Sequence, residues 1–556
     1  MALNIRKKYK HLQRYRQISQ VFVKNGLGFI LDRFDLKRFV PLKKRFEINE
    51  KPDNISVPVR LRQVFQELGP TYVKLGQILS TRPDIFPPDY IIEFKKLQDK
   101  VPPVEFYQIN NLLEEELGQD YNEKVFSDFE TEATAGASIA QTHRATLQNG
   151  EPVMVKVQRP FIEEKIQVDL EIITDLAELA VDRNILPEFI DPVGLVEEFK
   201  ESLKKELNFK QELANIKRFQ ANFADINSII SPKVYEKYST KRVLIMEEIK
   251  GKKLSEIESF NDIENKKLSR LGAHSFLKQV MIHGFFHADP HPGNIFIIDG
   301  DKIAYIDFGM MGQISSEDRD LFSLLFAALL RRNVEVITDT ILEIGDMPND
   351  LNKRKFKLDI EEFIYNYYNR KLEDINFKVL FEDLQKIVFK HHIRLPQEFF
   401  LLFRALSLNE GVGSTLDPEF NIVEIGNEFI QDLIYDRLKP DNVLKKISLK
   451  LWRLFNDIKN YPSDISEIFD LIKEDRLSIN FKHMNLEKLI KEIDFASNRL
   501  SISMIISALI VGSSMIIQSE VEPLIRGVPV LGFIGYTLAG IMGVWLVISI
   551  LRSGRF

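Results

Sequence analysis

Two uninterrupted apolar runs near the C-terminus constrain this chain more than any other feature. LSISMIISALIVGSSMIIQ (Leu500 to Gln518) is 19 residues without a charge, and GVPVLGFIGYTLAGIMGVWLVISIL (Gly527 to Leu551) is 25. Inside hydrocarbon every backbone polar group has to be satisfied within the segment, so each run must be helical, and each is long enough to cross roughly 30 Å. Glu520, Glu522 and Arg526 lie between the runs; Lys488, Lys491 and Arg499 precede them, and Arg552 and Arg555 follow. That distribution predicts a two-pass membrane hairpin, with both termini and the bulk of the chain in the cytoplasm. A buried helical hairpin of a soluble protein is the other arrangement such runs adopt. Gly535, Ala539 and Gly543 recur every four residues, a spacing that packs the second span against the first or, in a homodimer, against another copy.

The remaining length is enough for two or three folded units, each with its own core. With 75 basic and 81 acidic residues the net charge is -6, which offers nucleic acid no partner surface. The absence of cysteine excludes disulfides, thiolate catalysis and Cys-ligated metals. Basic charge is local instead: MALNIRKKYKHLQRYR holds six Lys or Arg and no acid, and reads either as a membrane-surface contact or as a solvated amphipathic helix. No secretory leader is expected, because this stretch lacks an apolar core, and no transit peptide, because Ser19 is its first serine.

Periodicity divides the chain into a basic amphipathic segment (1–57), a helical extension (58–124), a mixed lobe (125–250), a helical lobe (251–430), a helical connector (431–499) and the two spans (500–518 and 527–551). Within the extension, helices are predicted over 58–68 and 70–81, the second started by Pro70, and over about 105–117, ended by Gly118. Three short strands follow in 125–160, with a turn at Gln148-Asn149-Gly150. A long helical stretch then covers 160–224, and two strands are predicted in 233–249. NIFIIDGDKIAYIDFG (Asn294 to Gly309) reads as a hairpin turning at Asp299-Gly300.

Three stretches carry polar residues that a fold alone does not require. VMVKVQ places Lys156 on the face of a strand opposite Val155 and Val157, which by itself also describes the solvent face of an edge strand. HGFFHADPHPGNIF contains Asp289 and, five residues later, Asn294; Asp307-Phe308-Gly309 closes the predicted hairpin. A strand lysine, a loop aspartate, an asparagine five residues on and a DFG aspartate occur in that order in protein kinases, where a metal-bound triphosphate needs oxygen ligands on one side and a fixed cation on the other. His283, His287 and His291 share helical spacing, but Pro290 and Pro292 break a helix there, which weighs against a metal site. No G-x-G-x-x-G precedes the lysine strand; AGASIAQTH stands in its place.

Together KLGQ, AGASIAQTH, VKVQRP, ELNFKQELAN, HADPHPGN and DFG resemble the UbiB (AarF, ADCK) family of atypical kinase-like proteins. The resemblance implies an α+β, protein kinase-like bilobal fold with a helical N-terminal extension and a C-terminal transmembrane hairpin, set in a bacterial inner membrane. It also implies ATP and Mg²⁺ as cofactors, and ATPase or unorthodox kinase activity in support of ubiquinone or other isoprenoid-lipid synthesis. Its expected partners are a membrane lipid or prenylated quinone precursor and quinone-biosynthesis enzymes. By resemblance, Lys156 meets the nucleotide phosphates and Glu212 pairs with it. Asp289 is the catalytic-loop acid, Asn294 and Asp307 are metal ligands, and Ala135, Gly136, Ala137 and Ser138 replace the glycine loop. Backbone groups at Glu247 and Glu248 are expected to meet adenine. Lys74 and Gln77 of KLGQ belong to the extension and gate the site, with Lys74 expected to contact Glu206. The family's E-x-D becomes Glu206-Leu207-Asn208 here, so the second carboxylate is missing. Gly76 is expected to let the extension approach the lobe closely. A phosphotransferase acting on a protein or small molecule, and a nucleotide-binding scaffold, are the alternative readings.

Overall fold

Glycine and proline punctuate the N-terminal helices. The computed structural model of the chain describes residues 2–34, 55–97 (without 81, 83 and 84), 102–186, 190–256, 262–368 (without 349), 377–438 and 486–552 (without 520, 521, 526 and 527). First come α1 (Ala2–Lys24), α2 (Gly28–Arg33), α3 (Val57–Leu68), α4 (Pro70–Leu79), α5 (Pro88–Phe94), α6 (Phe106–Leu117) and α7 (Tyr121–Lys124). Gly69, at φ 98°, ends α3 in a conformation that side chains resist, and Pro70 starts α4 with its preset φ. The first lobe then holds β1 (Phe126–Phe129), β2 (Ala135–Gly136), β3 (Ala140–Leu147), β4 (Pro152–Gln158), α8 (Ile162–Asp182), α9 (Pro192–Glu206), α10 (Phe209–Asn222), β5 (Ile229–Ile230) and β6 (Val243–Glu247). The second lobe holds β7 (Lys252–Lys253), α11 (Asp262–Lys278), β8 (Phe285–His287), β9 (Ile295–Ile298), β10 (Lys302–Tyr305), β11 (Met311–Gln313), α12 (Ser316–Leu330), α13 (Val334–Ile344), α14 (Lys353–Tyr368), α15 (Phe377–Lys390), α16 (Gln397–Leu416) and α17 (Ile422–Leu438). A second compact unit contains α18 (Leu486–Gln518), β12 (Leu524–Ile525), β13 (Val528–Pro529) and α19 (Val530–Arg552).

The first-lobe sheet is antiparallel, in the order β1-β3-β4-β6, with β2 added beside β3. β4 is therefore an interior strand, which removes the edge-strand reading of Lys156. Its alternation buries Val153, Val155 and Val157 against Ile109, Leu112 and Leu113 of α6 and turns Lys156 to the opposite face. Helix α6, grouped by periodicity with the extension, thus forms part of the lobe's core. In the second lobe, β9 and β10 form the predicted hairpin, and Asp299 and Gly300 both take positive φ (53° and 79°) at its turn.

Several expectations are corrected. The stretch 160–224 is three helices rather than one, broken after Asp182 and again at Leu207-Asn208. Only β6 forms in 233–249; Val234 contributes a single bridge to Met246 because the chain turns at once into a 3-10 turn over residues 236–238, and the fifth strand of the sheet is β2, beside β3. The pair β8–β11 and the parallel pair β5–β10 had no periodic signal, since strands of two or three residues are too short to show one. A Cβ at Gly76 would collide with Leu97 and Phe65, so this glycine serves close packing inside the extension and not an approach to the lobe.

The basic N-terminus neither lies free nor simply presents a solvated face. Helix α1 docks on α8: Arg14 Nε and Nη2 donate to the two oxygens of Asp169 at 2.6 and 2.9 Å, and Nη2 also reaches Leu68 O at 2.8 Å. Thr71 Oγ1, in the first turn of α4, donates to the same carboxylate at 2.7 Å, and Lys10 pairs with Glu164 nearer the surface. Residues 35–54 of the N-terminal segment and 439–485 of the connector lie outside the described residues.

The second unit is an antiparallel helical hairpin. The helix of the first span begins at Leu486, well before the apolar run, and Ser497–Gln518 and Val530–Ile548 are long and apolar enough to cross a membrane. A Cβ at Gly535 would collide with Ser513 of α18, and Ala539 is buried, so these small residues pack the hairpin on itself; Gly543 has open space around it.

Asp169 is fully buried, so removing its guanidinium partner strands a carboxylate in the core. Arg14→Leu is expected to lower stability by about 3–5 kcal/mol in chemical denaturation, and Arg14→Leu/Asp169→Leu to recover a large part of it.

Candidate active site

Lys156 joins the two lobes through carboxylates. Its Nζ donates to Glu212 Oε1 and Oε2 at 2.7 and 2.9 Å and to Asp307 Oδ1 at 3.3 Å. Asn208 caps α10, its side chain accepting the Lys210 N–H at 3.2 Å, and Glu212 follows one turn later with 4 % exposure. The third residue of the altered E-x-D motif thus has a local role that depends on its side-chain oxygen. Asp307 Oδ1 also accepts the Gly309 N–H at 3.1 Å, and Asn215 of α10 donates to Phe308 O at 2.9 Å, stitching the helix to the DFG turn.

The charges do not balance, and the electrostatics show it. Burial pushes the Glu212 carboxyl up to about 7, against the pull of Lys156. Burial also opposes ionisation of Asp307, but Lys156 and the Gly309 N–H overcome it and hold that carboxyl well below the ordinary range. For Lys156, burial is outweighed by Asp307 and Glu212, and the ammonium titrates above its usual value.

The loop bearing Asp289 is held by a neutral histidine. Asp307 O can only accept, so His287 Nε2 carries the proton to it, while Nδ1 accepts the Asp289 N–H at 3.2 Å. Burial keeps this imidazole from protonating, and Gln279 Oε1 accepts the His287 N–H at 2.8 Å. Asn294 ends a 3-10 turn, and its carbonyl accepts the Ile306 N–H at 3.2 Å, which places it one residue from Asp307 across the hairpin. His283, His287 and His291 fall in a π-helical turn, a strand and a 3-10 cap, and no group of three metal-binding side chains occurs among the described residues. A residue that spacing does not point to enters here: Arg404 of α16, whose Nη2 donates to Asp289 Oδ1 at 3.3 Å.

The AGASIAQTH segment forms a tight turn between β2 and β3. Ala137 N–H donates to Ala140 O, and Arg159 at the end of β4 clamps the turn by donating to Ala137 O at 2.8 Å and to Pro102 O at 2.9 Å. Ala135 and Gly136 pair with Thr142 and Gln141, while Ser138 is buried with its hydroxyl unpartnered among the described residues. His143, on the same strand, donates from Nδ1 to Glu130 O at 2.9 Å and accepts from Gln141 at Nε2; burial keeps it neutral as well. Of the backbone groups expected near adenine, the amides of Glu247 and Glu248 donate to Lys233 O and Pro152 O and are not available to a base. Glu248 instead pairs with Arg144 and Glu247 accepts the Lys233 N–H.

In the extension, Lys74 pairs with Glu206 at 2.7 Å, and Arg82 with Glu198 at 2.9 Å. Both acids lie on α9, whose end leads through Asn208 into α10. Gln77 turns inward and donates to Leu97 O at 3.3 Å, inside the extension.

These residues fit a magnesium-bound nucleotide. Asn294 and Asp307 offer the amide and carboxylate oxygens that a hard divalent cation takes, and Lys156 is already held charged by its partners. Both buried histidines are neutral in the fold and protonate freely in the unfolded chain. Their contribution is therefore fully present above the ordinary histidine value of 6.5 and is lost as the pH falls below it. Chemical denaturation as a function of pH is expected to show that loss, with a shallower slope for His143→Asn.

The sequence pattern of the ABC1 atypical kinase-like domain matches residues 96–341, that of the UbiB helical domain residues 360–421, and that of the ABC1/UbiB kinase-like C-terminal domain residues 484–552. A Clostridium pasteurianum protein, described by its place in the hydrogenase 1 5′ region, is 34 % identical over 97 % of this chain and 99 % of its own. A probable protein kinase UbiB from Shewanella baltica is 32 % identical over 88 % of this chain and 91 % of its own. The chloroplastic ACTIVITY OF BC1 COMPLEX KINASE 7 of Arabidopsis thaliana is 30 % identical over 82 % of this chain and 64 % of its own.

Proposed function

The chain belongs to the ABC1/UbiB family of atypical kinase-like proteins, and from that premise we propose that it is a membrane-anchored, magnesium-dependent ATPase serving the synthesis of an isoprenoid quinone lipid. The observation that carries this reading is the buried Lys156–Glu212–Asp307 cluster, tied through His287 and the β9–β10 hairpin to Asp289 and Asn294. The two apolar C-terminal helices support a lipid setting, with the nucleotide site on the cytoplasmic side. A prenylated quinone precursor is the substrate class, and enzymes of the same synthesis, with a second copy of the chain, are the partners.

Bound magnesium–ATP would supply the phosphoryl group, with Asn294 and Asp307 as protein ligands to the metal. Lys156 would neutralise phosphate charge without a proton transfer, since its partners hold it charged. Glu212 fixes the position of that ammonium, and the turn Ala135–Ser138, clamped by Arg159, would cover the nucleotide. Asp289 orients the attacking hydroxyl or water and accepts its proton. Lys74, through Glu206, couples the extension to the helix that carries Glu212.

Full-length protein in lipid vesicles is expected to hydrolyse magnesium–ATP faster when a prenylated phenolic lipid is present. Asp307→Ala and Lys156→Met are expected to lose on the order of 100-fold or more in turnover while folding normally. Absence of nucleotide binding by the wild type at millimolar concentrations sinks the reading; stoichiometric transfer of labelled phosphate to a protein would favour the phosphotransferase instead. Lys74→Ala, which breaks a partly exposed ion pair, is expected to alter turnover and nucleotide preference while leaving the melting temperature within a few degrees.

A further inference from the structure

Asp289 lies in a loop that has no cation of its own. The stretch HGFFHADPHPGNIF, from His283 to Phe296, contains neither lysine nor arginine. Lys156 is committed to Glu212 and Asp307. The cation beside Asp289 comes from 115 residues further along the chain: Arg404, on α16.

Helix α16 holds that arginine rigidly. Leu402, Phe403, Ala405 and Leu406, on either side of it in sequence, are all buried, and the Phe403 ring stacks on Phe381. A guanidinium carries five N–H donors, yet Arg404 makes one long hydrogen bond, from Nη2 to Asp289 Oδ1. Its Nη1 is buried without a hydrogen-bond partner among the described residues. Such orphaned buried donors are costly and uncommon, and a guanidinium fork matches the oxygens of a phosphoryl group. The side chain is 25 % exposed and Asp289 35 %, so both are reachable from outside the fold.

We propose that Arg404 is a further catalytic residue, an arginine supplied from within the chain to the terminal phosphoryl group; the proposal rests on the nucleotide-site reading above. In the transfer, the oxygen of water or another hydroxyl acceptor bonds to the γ-phosphorus while the bond from that phosphorus to the β,γ-bridging oxygen breaks. ADP leaves with that electron pair, and the acceptor's proton passes to the Asp289 carboxylate. Arg404 exchanges its single bond to Asp289 for contacts to the γ-phosphoryl oxygens, which stabilises the charge they carry in the transition state and frees Asp289 for the acceptor.

The test uses the full-length protein in vesicles with Arg404→Lys and Arg404→Gln, measuring melting temperature, affinities for magnesium–ATP and magnesium–ADP, and turnover. Expected are folded variants whose ADP affinity stays within about twofold of wild type, whose ATP affinity falls selectively, and whose turnover drops on the order of 100-fold or more. Lysine is expected to restore little, because a point charge does not reproduce the planar fork. Equal loss of ATP and ADP affinity, or turnover within a few-fold of wild type, would overturn the proposal and leave Arg404 as a prop for the loop. Failure of the wild type to bind either nucleotide would instead defeat the ATPase reading, and this inference with it.

Discussion

One ammonium shared by two carboxylates organises the molecule. Lys156 reaches the site because β4 is an interior strand with alternating faces, Glu212 because α10 is capped one turn earlier, and Asp307 because the β9–β10 hairpin delivers it. Each of these elements is buried for its own packing reasons, yet they meet at a single charge. Burial, with the Asp307 charge adding to it, pushes the Glu212 carboxyl up to about 7, while Lys156 and the Gly309 N–H keep Asp307 ionised, so two acids share one ammonium. Such an arrangement favours a further cation beside Asp307.

The extension reaches that centre through a chain of polar contacts. Arg14 and Thr71 converge on Asp169, which ties α1 and the start of α4 to α8. Lys74, one turn further along α4, then meets Glu206 at the end of α9. Two residues later Asn208 starts α10, the helix that carries Glu212. The buried Arg14–Asp169 pair contributes little net stability but penalises alternative placements strongly, and through Thr71 it specifies where α4 sits. The basic N-terminal helix is therefore an intramolecular docking element, with its arginine directed into the core.

The C-terminal hairpin obeys a different physics. Its exposed surface is largely apolar along the two spans, and Gly535 and Ala539 let the two helices approach closely, as small residues do where apolar burial supplies little drive. Ser514 and Tyr536 add a hydrogen bond across that seam. Of the small-residue stripe, Gly543 is left with open space, so the four-residue repeat is used only in part inside one hairpin.

Much of this was legible in the linear chain. Apolar run length determined the two spans, alternation determined which face of β4 bears Lys156, and the spacing of Asp289, Asn294 and Asp307 around a turn signal determined the hairpin; each is a local rule acting within a few residues. What depended on residues far apart was not legible. Arg404 meets Asp289 across 115 positions, and Arg14 meets Asp169 across 155, with nothing in either local pattern to indicate the partner. Gly76 read as a point of approach to the lobe until packing showed it against Leu97 and Phe65. The sequence by itself determined which polar residues β4 and the β9–β10 hairpin carry and which segments are long and apolar enough to cross a membrane, because periodicity and covalent spacing are short-range. Tertiary structure alone decided which charges pair and which donors remain for a ligand, because only chain closure brings those groups within hydrogen-bond reach.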